Sequence, residues 1–221
     1  MLSEDYIMRM IGQATAVLLK IIGLKKNGDY PEAQQAIDQA LEKLIGLKAD
    51  IIKQLDNESI LNTLTHEGKL DIARLALMAD LFKEDGDILA AQGRFSESRE
   101  SYLRSLIFQL ETGFDETIQP SVDLTQKIDE LVLNLDDQNL PDEPLWTLFC
   151  FYERAGALTK ADEAILKLAN RPKLYTEIQP ELVAFYERLL EKSVGELAES
   201  GMNREEVKGK LENVKQDNWD L

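Results

Sequence analysis

The side chains that could do covalent chemistry are few: one cysteine, Cys150, and one histidine, His66, in 221 residues. A Cys nucleophile needs a base to make its thiolate, and His66 lies far off in the polar stretch Thr65-His66-Glu67-Gly68. Phe149-Cys150-Phe151 reads instead as a buried thiol, and a lone cysteine excludes an intramolecular disulfide. The run Glu84-Asp85-Gly86-Asp87 resembles the start of a calcium loop. It lacks the further spaced oxygens such a loop needs, and it falls inside a helical pattern. No phosphate-binding glycine loop, no Glu-x-x-His pair and no catalytic carboxylate motif occurs, so no catalytic residue, cofactor site or metal site is assigned and the expectation is a protein that is not an enzyme.

Charge is the stronger signal. The chain carries −16, and residues 71–140 hold 15 acids against 6 bases. Such a field repels phosphate backbones and anionic membranes and favours a protein or peptide partner with a basic patch. The acidic opening Met1-Leu2-Ser3-Glu4-Asp5-Tyr6 lacks the order of a signal peptide, and no apolar run reaches the roughly 18–20 residues of a membrane span. The expected setting is cytoplasmic, with no nucleic acid and no membrane.

The elements that must carry these residues read as helices throughout. Ser3 can cap a first helix whose stripe, Ile7 to Leu24, is wide enough to touch neighbours on two sides. It ends at Lys25-Lys26-Asn27-Gly28, and a second helix runs from Ala33 to about Ile45. Two short helices flank Asp56-Asn57. A long Ala- and Leu-rich helix spans Asp71 to about Gln92, and its partner spans Ser96 to about Glu111. Further helices follow Pro120, cover Leu145–Ala155 and Thr159–Ala169, and run from Pro180 to Glu199; Asn203 and Glu206 then start a last one. No β-branched alternation supports a sheet.

Three stretches repeat. Gly28-Asp29-Tyr30 with Ala33, Ile37 and Ala40, Gly93-Arg94-Phe95 with Ser98, Tyr102 and Ser105, and Gly156-Ala157-Leu158 with Ala161, Ile165 and Leu168 share one spacing. Each has a glycine at a helix end, a large apolar residue two positions on, then small and large residues in turn. Small residues let antiparallel helices approach, and large ones fill the groove between hairpins. Gly86 inside a helix fits such close packing.

This pattern resembles the second half of the tetratricopeptide repeat, and Phe82, Gly86 and Leu89 match part of its first half. The turns lie 65 and 63 residues apart, which implies worn hairpins between them. The opening Glu4-Asp5-Tyr6-Ile7-Met8-Arg9-Met10-Ile11 is also similar to an uncharacterised bacterial family of helical, repeat-like proteins. The resemblance implies an all-α, irregular TPR-like α-solenoid over residues 1–170, with residues 171–221 as a C-terminal helical hairpin packed on it.

Such a fold implies a scaffold or adaptor module for protein–protein interaction, with a groove facing Asp80, Lys83 and Asp87, and further on Trp146 and Arg154. Two other readings stand beside it. One is a homo-oligomeric structural protein, built through the first helix or the last hairpin, with Trp219 as an anchor. The other is a peptide-sensing regulatory domain.

Overall fold

In the computed structural model, residues 4–114, 120–135 and 140–216 are described. They are almost wholly helical. The elements are α1 (Glu4–Asn27), α2 (Tyr30–Ile45), α3 (Ala49–Gln54), α4 (Asn57–Leu64), β1 (Thr65–His66), β2 (Lys69–Leu70), α5 (Ile72–Ala91) and α6 (Phe95–Thr112). They continue with α7 (Val122–Leu135), α8 (Asp142–Ala155), α9 (Leu158–Ala169), α10 (Tyr175–Glu191), α11 (Val194–Glu199) and α12 (Arg204–Lys215). The expected cap Ser3 and the anchor Trp219 lie outside the described residues. No described helix is long and apolar enough to cross a membrane.

The three repeated turns have one geometry. Gly28, Gly93 and Gly156 take φ of 81°, 75° and 74°, a left-handed exit that suits a residue without Cβ. After each, the next amide reaches back to the helix it leaves: Asp29 to the Leu24 carbonyl at 3.0 Å, Arg94 to Leu89 at 2.9 Å and Ala157 to Tyr152 at 2.9 Å. The carbonyls of those same residues then accept the first bonds of the next helix, from Ala33, Ser98 and Ala161. All nine small and large residues of the repeat are buried. Phe95 departs from the pattern: it begins α6 but is 72% exposed, whereas its counterpart Leu158 is buried.

Contacts divide the chain into two units, at places other than the boundary at residue 170 read from the sequence. The first holds residues 1–112 and 127–135, and the second holds 113–126 and 136–221. In the first, α5 packs on α6, α2 and α1, so it is buried around most of its circumference rather than on one inner side. Gly86 permits the approach of α6: a Cβ there would lie 2.6 Å from the Tyr102 ring. Ser98 and Ser105 of α6 donate to the carbonyls of Gly86 and Ala79, each at 2.8 Å, so close packing leaves both of these buried hydroxyls met.

In the second unit α8 packs on α9, α10 on α9 and α12 on α10. Phe149 meets Phe185 edge-on at 5.3 Å. Asp162, nearly fully buried, accepts from the Tyr186 hydroxyl at 2.8 Å and from the Lys210 ammonium at 2.7 Å, which ties α9, α10 and α12 together.

Several boundaries correct the sequence reading. α10 starts at Tyr175, five residues before Pro180, and the proline lies inside the helix. The helix expected to reach Glu199 breaks after Glu191, because Ser193 and Glu196 form a capping box that starts α11. A minimal hairpin pairs Thr65 with Leu70 and His66 with Lys69, where no strand was expected. Its turn uses Glu67 and Gly68, both at positive φ.

Gly86→Ala will force the Tyr102 ring out of place. The expected loss is about 1–2 kcal/mol, overpacking exceeding the helix-propensity gain of alanine. Urea unfolding of the two proteins measures it; an unchanged midpoint would refute the close-packing account of this glycine.

Candidate functional site

The sequence-selected residues Asp80, Lys83 and Asp87 recur at three- and four-residue intervals on α5, so they form one row along it. Glu84 stands in the same row. Asp80 is met from α7, where the Lys127 ammonium lies 2.9 and 3.0 Å from its two carboxylate oxygens, and from α6, where the Gln109 amide donates at 2.9 Å. Lys83 reaches Glu130 of α7 at 2.8 Å, Asp87 at 3.2 Å and Glu84 at 3.6 Å. Lys25, from the last turn of α1, pairs with Glu84 at 2.5 Å and with Asp87. The Tyr102 hydroxyl donates to the other oxygen of Asp87 at 2.8 Å.

These pairs set the charge states. Burial pushes the Asp87 carboxyl up, but hydrogen bonds from Lys25 and Tyr102 and the Lys83 charge outweigh it and hold the group below the usual carboxylate range. Burial lowers Lys25 and Lys83, and their carboxylate partners more than reverse it, so both ammoniums stay charged above the usual lysine range. Tyr102 is held neutral by burial and by its bond to Asp87.

Beside this row, within the first unit, opens a cleft of about 210 Å³. It is lined by Leu18 and Ile22 of α1, by Asp80, Lys83 and Glu84 of α5, and by Leu131 of α7. A second cleft, of about 220 Å³, lies among α2, α3, α5 and α6 around Asp85. That carboxylate is nearly fully buried and is met by the Ser101 hydroxyl at 2.5 Å, by the Gln34 amide and by Lys53 at 3.5 Å. Arg104 covers the Phe82 ring at 5.6 Å and donates to the carbonyls of Ile52 and Leu55 at the end of α3. The structure therefore makes Glu84-Asp85-Gly86-Asp87 a run of ion-paired packing residues pointing to two sides of α5.

Trp146 and Arg154 belong to the second unit, on α8. Trp146 is 36% exposed and rests against Phe149 at 5.4 Å. Arg154 donates to the Gly113 carbonyl at 2.9 Å, a contact that positions backbone. Cys150 is half-buried rather than enclosed, because its neighbours Phe149 and Phe151 take the inward faces of α8. Burial, reinforced by Glu153 and Glu181, pushes its thiol up to about 11, so it stays protonated at neutral pH. His66 is exposed on β1.

Sequence reasoning missed Lys25, Glu84, Lys127 and Glu130. The row Asp80, Glu84, Asp87 was itself a signal, since acids at helical spacing on an apolar helix require cations from elsewhere. Which helices supply them was not readable from local pattern.

Because Asp87 is held low, its contribution to stability is complete above about pH 4 and is lost as pH falls through its folded value. Lys25 and Lys83, held high, contribute fully below about pH 10 and lose that contribution as pH rises through theirs. Asp87→Asn should cost about 2 kcal/mol at neutral pH and flatten the decline below about pH 4. Urea unfolding across that range checks it, and parallel acid limbs would refute it.

Comparison with known proteins gives a family and no activity. The model of the family of unknown function DUF6483 matches residues 1–218, nearly the whole chain, and the protein belongs to that family. No curated protein and no solved structure matches it.

Proposed function

We propose that this family member is a protein–protein interaction module, a TPR-like scaffold or adaptor whose groove lies along α1, α5 and α7 of the first unit. The observation that carries the reading is the open cleft beside Asp80 and Lys83, residues picked from the repeat pattern as groove-facing. Three turns with one hydrogen-bonding pattern support the repeat assignment. So does the packing of α5 against both helices of the α1–α2 hairpin, as stacked hairpins require.

The partner is a polypeptide, and the protein works without catalysis, nucleic acid or membrane, in the cytoplasm. The four carboxylates of Asp80, Glu84, Asp87 and Glu130 outnumber the ammoniums of Lys25, Lys83 and Lys127 by one, which favours a segment with basic residues. In the second unit the α8 face bearing Trp146 is the corresponding surface.

Affinity capture with the full chain from its source cell, read by mass spectrometry, tests this. One stoichiometric partner is expected, with about tenfold less retained by the double variant Asp80→Lys, Lys83→Glu. Recovery of nothing but further copies of the chain would overturn the reading in favour of a homo-oligomeric structural protein.

A further inference from the structure

Among its described side chains, α1 carries more apolar surface than it buries. Ile21 is fully buried, and Val17, Leu18 and Leu24 pack partly on the core. Leu18 and Ile22 remain half-buried where they wall the cleft, and Leu19 is 63% exposed. α7 lines the same cleft, where its Leu131 is buried. Its Lys127 pairs with Asp80 and its Glu130 with Lys83. Apolar side chains of α1 and α7 therefore border a gap beside a row of carboxylates.

Its volume, about 210 Å³, is below the range of cofactor or drug-sized sites and suits one side chain. We propose that this cleft is an anchor pocket for one large aliphatic or aromatic side chain of a partner peptide, with a Lys or Arg beside the anchor meeting Asp80 and Glu130. The proposal rests on the interaction reading above and specifies its ligand. Lys127 shows the chemistry within the chain: its ammonium already spans both oxygens of Asp80. Glu130, 55% exposed at the rim, has room for a second cation. With one carboxylate in excess around the row, a basic residue neutralises the site, whereas an acidic one adds to a charge of the same sign. The anchor supplies the affinity by covering the half-buried Leu18 and Ile22, and the cation fixes the direction of the segment.

A random-peptide library displayed on phage and panned on the full chain tests it. The selected peptides are synthesised with a fluorophore and titrated by anisotropy. Expected is enrichment of a large apolar residue next to Lys or Arg, with binding that weakens as salt rises. Replacing the anchor by alanine should weaken binding about tenfold, as should Ile22→Trp, which fills the cleft. Glu130→Lys should weaken it severalfold. Enrichment of acidic peptides, no enrichment, or binding indifferent to the anchor would overturn the proposal. Should Ile22→Trp fail to fold, as read by circular dichroism, the anchor→Ala peptides and Glu130→Lys decide. A captured natural partner that binds Ile22→Trp as well as wild type would overturn the anchor pocket and leave the interaction reading standing.

Discussion

The first unit is organised by the need to neutralise carboxylates inside it. Glu84 and Asp85 are nearly fully buried at the middle of α5, with Asp87 close behind. A buried charge without a partner would cost several kcal/mol, so α5 can occupy its central place only if cations come to it. They come from three directions: Lys25 from α1, Lys53 from α3 and Lys83 from α5 itself, with Lys127 of α7 serving the nearby Asp80. These pairs discriminate among arrangements more than they add stability. A slipped α1 would still bury leucines, but it would take Lys25 from Glu84 and leave it only the more distant Lys83.

The same helix is closed in by small residues. Gly86 admits the Tyr102 ring, and Tyr102 in turn donates to Asp87, so a packing feature and an electrostatic one share a side chain. The second unit repeats the device with other residues, Tyr186 and Lys210 converging on Asp162. In both units a tyrosine hydroxyl and a lysine serve one carboxylate. That gives an otherwise apolar stack of helices a specific register.

Much of this was legible in the sequence. The Gly28, Gly93 and Gly156 turns could be found because a left-handed exit selects glycine and the next helix then imposes its own spacing. Asp56 stood at the break between two short helices and Asp71 at the start of a long one, and their side chains cap the Ser59 and Arg74 amides. The start of α10 was misplaced because Pro180 suits a first turn, yet the helix accommodates it five residues in. Of the candidate site, Asp80, Lys83 and Asp87 were chosen by position in the repeat. Their partners on α1 and α7 escaped, because ion pairs spanning 47 to 62 residues leave no local trace.

What the sequence determined by itself, then, is local. Helical periodicity, the glycine turns and the capping residues fix an all-helical chain of hairpins, since each depends on neighbours a few residues away. The acidic surplus of residues 71–140 was also plain, but its meaning was not. Only the tertiary structure decided which of those acids go inside, which lysines follow them, and that a cleft stays open beside Asp80. Burial and long-range pairing depend on how helices distant in the chain come together, and that is settled by three-dimensional packing rather than by the order of residues along any one of them.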